Sequence, residues 1–377
     1  MGTNGFAPRR NWAHRLARVL KRQDELFTIG LFAIGLLAAS AAEAHVFCVG
    51  TAADLQSAFD AGSDGGIYNG EDNIVELQAA TYFTTALDGG AFQFHSTTTH
   101  DLQVLGGWNQ DCTTQSLDPT LSVLDGAQTT LVLSILSGGA TTINYLTIQN
   151  GREPAGSFAA GLTLTSSTDT AIATISYNII RNNYTTVTLP YFSSQPAGIL
   201  ANAPGGLYFM NNLVAGNTSE GKDAAGEIAF DGNDCVTNNT IVDNKATNDG
   251  DDGGLLLYDT GGAGYVINNI FWGNTRAGLI VNDDFELLLN NDYGVLGGGS
   301  PGTGSANNLK VNPSFVDRPN GNYRLAGDSP LLGKGNNAPP CGLPARDLDG
   351  HPRFFHGTVD MGAYQESVFS SGFDPAT

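Results

Sequence analysis

Along most of this chain the apolar residues fall in short runs broken by Gly, Asn, Asp, Ser and Thr, and no run in the central third repeats at the helical interval. Between about Ala160 and Asn291 the runs obey one two-part phrase, written five times. The first part is a small residue, a Gly and an apolar run: AGLTLTS from Ala160, AGILANA from Ala197, AGEIAFD from Ala225, GGLLLYD from Gly253 and AGLIVND from Ala277. The second part starts 12 to 16 residues after that Gly: YNIIRNN from Tyr177, NNLVAGN from Asn211, NNTIVDN from Asn238, NNIFWGN from Asn268, and a degraded NNDYG from Asn290. Two phrases in fixed order at near-constant separation define a solenoid. Short apolar runs divided by turn residues make each repeat a coil of strands. The pattern predicts an all-β chain, a right-handed parallel β-helix.

Stacking the five copies on their Gly turns positions into columns about 4.8 Å apart, the interstrand spacing. The period of two then points Leu162, Ile199, Glu227, Leu255 and Leu279 inward, with Leu164, Ala201, Ala229, Leu257 and Val281. Glu227 breaks its column and is expected at a bulge or turn. Outward stand Thr163, Leu200, Ile228, Leu256 and Ile280, then Thr165, Asn202, Phe230, Tyr258 and Asn282. An apolar, aromatic outer column needs a cover or a ligand. The cover would be the C-terminal segment; the ligand would be a glycan stacked on Phe230 and Tyr258. The fifth position reads Ser166, Ala203, Asp231, Asp259, Asp283. Three carboxylates on successive coils would have the separation a glycosidase acid and its partner require, or would hold a hard cation such as Ca²⁺. Equally, Asp at a strand end satisfies its own turn. Asn178, Asn212, Asn239, Asn269 and Asn291 align, as do Asn150, Asn183, Asn217, Asn244 and Asn274, and such columns predict amide ladders that satisfy the bends.

Outside the repeat the pattern changes. Thr51 and Asp54 have capping-box spacing, and Leu55, Ala58 and Phe59 share a helical face, which predicts a short helix over the open first coil. Early, irregular coils follow at Ile74, Thr81, Phe92, Leu102, Leu121 and Leu131. Beyond Leu296 comes a turn-rich link and then a non-repetitive C-terminal cap. The expected organisation is 1–44 export signal, 45–128 N-terminal cap and irregular coils, 129–296 regular coils, 297–366 C-terminal cap and 367–377 tail.

Charge and cysteine narrow the setting. A basic stretch, an apolar run from Leu26 to Ser40 and Ala42-Glu43-Ala44 before His45 read as a secretory signal. Without residues 1–44 the chain keeps 11 basic against 34 acidic residues, a net charge of −23, which argues against nucleic acid as a partner. No transmembrane segment is expected after cleavage. Four cysteines remain, Cys48, Cys112, Cys235 and Cys341, and an oxidising compartment favours disulfides. Cys48 and Cys112 share the N-terminal region and are expected to pair; Cys235 then pairs with Cys341 or stays a buried thiol.

LGGWNQDC from Leu105, LDPTLSVLDG from Leu117, NPSFVD, GNYRLAGDSPLLGKG and DLDGHPR…GTVDMGAYQ together resemble secreted bacterial β-helix proteins with the choice-of-anchor Q domain. The resemblance spans roughly Cys48 to Gln365, and DMGAY is its most specific phrase. Gly333 stands where that family tends to have Asp, and Gln365 where it tends to have Glu; the closing VFSSGFD resembles a short sorting tail. The resemblance implies export and a surface or extracellular location, with no agreed chemistry.

Other candidate chemistry is thin. A lyase would need acidic ligands such as Asp223, Asp251 and Asp252, with Lys222, Lys245 or Arg276 as base. The His95/His100 and His351/His356 pairs lack zinc spacing, and Asp347-Leu348-Asp349-Gly350 matches a turn as well as a calcium loop. The sequence therefore predicts a structural, adhesive or glycan-binding surface module, binding a polysaccharide or cell-surface component without a cofactor. The alternative is a polysaccharide hydrolase, less favourably a lyase, acting through Asp231, Asp259 and Asp283.

Overall fold

In the computed structural model the residues described are 44–87, 90–153, 158–186, 196–230, 234–259, 264–282 and 286–366. Residues 1–43 of the expected export signal and the expected tail, 367–377, lie outside them. The described chain winds as a parallel β-helix with three long parallel faces and a short fourth. The nine-strand face runs from His45–Val49 to Leu287–Leu289, the eight-strand face from Phe92–Ser96 to Leu296–Gly298, and the seven-strand face from Ala80–Phe83 to Ile270–Trp272. Every pairing between successive coils on these faces is parallel. The core is the stack of inward columns, among them Leu162, Ile199, Leu255 and Leu279 on one face and Ile148, Ile180, Val214, Ile241 and Phe271 on another, all essentially fully buried.

The first coil is closed as the sequence predicts. Helix α1 (Ala52–Gly62) begins at Thr51, whose hydroxyl accepts from the Asp54 amide at 3.2 Å. Leu55 and Phe59 are fully buried, and the Phe59 ring meets Phe94 edge-on at 5.9 Å. Both disulfides form, Cys48–Cys112 and Cys235–Cys341, so Cys235 is not a free thiol. Among the described residues no helix is long and apolar enough to cross a membrane.

The amide ladders are present. Asn178, Asn212, Asn239, Asn269 and Asn291 are joined side chain to side chain at 2.9–3.2 Å, each Nδ2 donating to the next Oδ1. The ladder runs one rung further than expected, to Asn308, because the Gly-rich link still completes a partial coil: Leu289 bridges Ala306, and Asp292 bridges Leu309. The second ladder joins Asn183, Asn217, Asn244 and Asn274. Asn150 is not part of it. It sits one position earlier, in the left-handed conformation, and Gly151 donates its amide to Asn183 in its place.

One strand departs from the expected register. Gly226, not Glu227, stands beside Ile199 and Leu255, so the AGEIAFD copy is slipped by one residue. Glu227 joins the outward column of Leu200 and Leu256, while Ile228 turns inward beside Ala201 and Leu257. A buried carboxylate would cost several kcal/mol, roughly, unless paired, whereas a glycine in the core costs only the contacts of one side chain. Neighbouring coils fill that space: a Cβ on Gly226 would lie 2.3 Å from Ile199 Cγ2.

The C-terminal cap is non-repetitive, as expected, but covers another face. It lies on the outward side of the second phrase, where Ile179, Leu213, Ala215, Val242 and Ile270 pack with Tyr323, Leu325, Leu331, Leu348, Met361 and Ala363. The outer column of the first phrase, expected beneath it, is instead built of half-buried Leu200 and Glu227 and a small cluster of Leu256, Ala277 and Ile280.

Candidate functional site

The slipped strand changes the register on which the carboxylate and aromatic columns were expected. Phe230 stands beside Asp259, and Ala229 beside Tyr258, so Phe230 and Tyr258 do not share a register position. Asp231 and Asp283 lie outside the described residues. Tyr258 is about half exposed, at 48%. Asp252 does align with Arg276 and lies near it, Nε to Oδ1 4.0 Å, but the slip brings Asp223, not Ala224, level with Asp252.

The histidines and the suspected calcium loop serve the cap's own structure or sit at the surface. His95 and His100 lie beside Asp64 and Asp72. Asp347, Asp349 and His351 come together. Asp347 already accepts from the amides of Asp349, His351 and Gln365, and Asp349 is clamped by Arg324. Those bonds are the ones by which an Asp closes its own turn.

The motif residues of the resemblance form the latch that holds the cap down. Arg353 is fully buried and donates to the carbonyls of Gly362 and Ala363 and to the Asn211 side chain. Burial holds its pKa below the usual arginine range, against the nearby negative charge of Asp347 and Asp360. Burial likewise raises both aspartates. Gly362, at φ 89°, lies so close to the sheet that a Cβ would come 2.6 Å from Ile270 Cδ1. The adjoining Ala363 amide donates to Thr240 Oγ1 at 2.9 Å. Gly333, also left-handed, gives its amide to Asp360 Oδ1.

Where the cap leaves the sheet, a groove opens that the sequence reading did not locate. One cavity of about 680 Å³ lies between Arg181, Asn182 and Asp243 on the coils and Arg318, Asn320 and Tyr323 on the cap. A second, of about 390 Å³, shares Arg181, Leu213 and Gly321 with it and continues to Asp118, Arg324, Asp349 and Tyr364. The fold builds this mixture simply. Residues 149, 181, 215, 242 and 272 form one outward column of the seven-strand face, reading Gln, Arg, Ala, Val, Trp, and the cap stops short of its polar end.

The groove is rich in groups already fixed in place. Arg318 holds Asp243 through Nε at 2.9 and 3.1 Å and through Nη2, and the Tyr323 hydroxyl donates to the same carboxylate at 3.0 Å. Arg324 holds Asp349 the same way, 2.6 Å from Nε and 2.5 Å from Nη2, and its guanidinium lies 4.8 Å over the Tyr364 ring. Asp118 is occupied by the Thr120 amide and hydroxyl. Burial and the adjoining carboxylates keep the Tyr323 and Tyr364 hydroxyls protonated far above neutral pH. The arrangement presents planar hydrogen-bonding groups, with each of its carboxylates engaged. Only one sequence signal pointed here: Arg181 is the lone basic residue at its place in the repeated second phrase. Comparison with family models, with curated proteins and with solved structures finds no match, so the fold and this groove are the ground on which function is argued.

Proposed function

We propose that this chain is an exported surface β-helix of the choice-of-anchor Q kind that binds carbohydrate in the groove between its seven-strand face and its C-terminal cap, without acting on it chemically. One observation carries the reading: two cavities joined at Arg181, lined by guanidinium–carboxylate pairs, asparagines and tyrosines whose positions other contacts already fix. Sugars offer hydroxyls for such planar groups, and fixed partners lose little entropy on binding. Hydrolysis needs a carboxylate free to act as acid or base near its partner. Asp243, Asp349 and Asp118 are all bonded within the protein. Export fits the signal-like N-terminus and the two disulfides.

The test is titration of residues 45–366 against a panel of neutral and acidic polysaccharides by affinity electrophoresis and calorimetry, with reducing ends followed in parallel. Saturable binding without new ends is expected. Absence of binding across the panel would end this reading. New reducing ends that vanish in Asp259→Asn would replace it with a hydrolytic one.

A further inference from the structure

We propose that the groove selects an acidic sugar, a carboxylate-bearing residue within an otherwise neutral glycan, and that Arg181 is the group that recognises it. The inference rests on the reading of the groove as a carbohydrate site and adds the class of sugar. Of the three guanidiniums there, two have their charge met inside the protein, Arg318 by Asp243 and Arg324 by Asp349. Arg181 has not. Its Nε donates to Gln149 Oε1 at 2.9 Å, and Gln149 is itself held by Asp125 Oδ2 at 2.8 Å. The plane of the guanidinium is thereby oriented, while its two terminal nitrogens make no hydrogen bond to any described residue. Asp125, the nearest carboxylate in this chain of contacts, is buried and also accepts from the Asn150 amide and the Ala127 backbone, so it does not pair with Arg181.

An exposed, oriented guanidinium with two free N–H edges matches the two oxygens of a carboxylate. Its place at the junction of both cavities lets a sugar ring on either side reach the remaining polar groups. Asn182, exposed and left-handed, adds an amide beside it. The number of acidic residues in the ligand is limited by the rest of the molecule. A surface with 34 acidic against 11 basic side chains repels a polyanion, so the favoured ligand carries isolated carboxylates among neutral sugars.

The test uses residues 45–366 as wild type, Arg181→Gln and Arg181→Lys. The probes are a hyaluronan hexasaccharide, in which glucuronate alternates with a neutral sugar, and the same hexasaccharide after carboxyl reduction. Wild type should prefer the acidic form about tenfold or more. Arg181→Gln should lose that preference while melting at the same temperature, and Arg181→Lys should keep part of it. Equal binding of both forms by wild type, preference retained in Arg181→Gln, or no binding of either form would each overturn the assignment of Arg181. If the neutral polysaccharides of the wider panel still bind in that case, the carbohydrate reading stands without it; if they do not, both fail.

Discussion

At the scale of single residues, this solenoid is specified by amides and by one glycine. Asn239 shows the ladder's logic: its Oδ1 accepts the backbone and side-chain N–H of Asn212, and its Nδ2 donates to the Phe209 carbonyl and to Asn269. Asn239→Ala would strand several buried groups at once, and a loss of about 3–5 kcal/mol is expected in urea unfolding. Asn308→Ala, at the half-buried last rung, should cost about 1 kcal/mol. The Asn columns were legible because each coil repeats the same residue. The register of the AGEIAFD copy was not, because its glycine invited alignment with the other glycines, although the apolar alternation of Ile228 and Phe230, which leaves Glu227 on the other side, already pointed to the slip.

Asp292 supplies a pH-dependent term. It is fully buried, Oδ1 accepts the Val311 amide at 3.0 Å, Oδ2 has no partner, and burial raises its pKa to about 6. The folded state therefore holds its proton more tightly than the unfolded chain. Its contribution is favourable relative to high pH below about pH 4, declines between about 4 and 6 and is flat above, a change of about 3 kcal/mol at 1.36 kcal/mol per pKa unit. Chemical denaturation of wild type and Asp292→Asn at pH 4.5 and 7.5 should show a smaller loss of stability with rising pH in the variant. Equal losses would mean that Asp292 titrates normally.

At the scale of elements, the C-terminal cap is held by a latch whose parts are far apart in sequence. The phrases around Asp347, Arg353 and Asp360 were recognisable as a family-like signature, yet nothing in their spacing said that they meet around Asn211 and Thr240, because those partners belong to distant coils. Arg353→Met would leave Asp347 and Asp360 buried without their cation and is expected to cost about 3–5 kcal/mol. Hydrogen exchange at Met361–Tyr364 should accelerate before that of the coils does. Helix α1 needed no such long-range information: its cap, its apolar face and its end all lie within a dozen residues, and it was read correctly from them. The Cys235–Cys341 disulfide reinforces the same junction across 106 residues. Replacing both cysteines with serine should lower stability by about 2–4 kcal/mol in thermal or urea melts.

At the scale of the whole molecule, parallel coils make one axis and three unlike faces. The period of two and the repeat separation made the coil legible, but not which outward face the cap would choose. That choice follows from composition: Ile179, Leu213 and Ile270 offer aliphatic surface on one face, whereas Thr163, Glu227 and Asn202 interrupt the other. The groove was invisible to the sequence because it exists only where the cap, from far along the chain, leaves the coils. The ladders add a mechanical property. Load applied along the axis is carried in series through inter-coil contacts, and a series chain yields at its weakest link. From Ile179 to Ile270 the cap bridges the coils like a splint, in parallel with the ladder, whereas the first coils are braced by the Cys48–Cys112 disulfide. Pulled from its two ends, the molecule should lengthen first between the Cys48–Cys112 bridge and the splint, leaving the splinted region and its groove intact under tension.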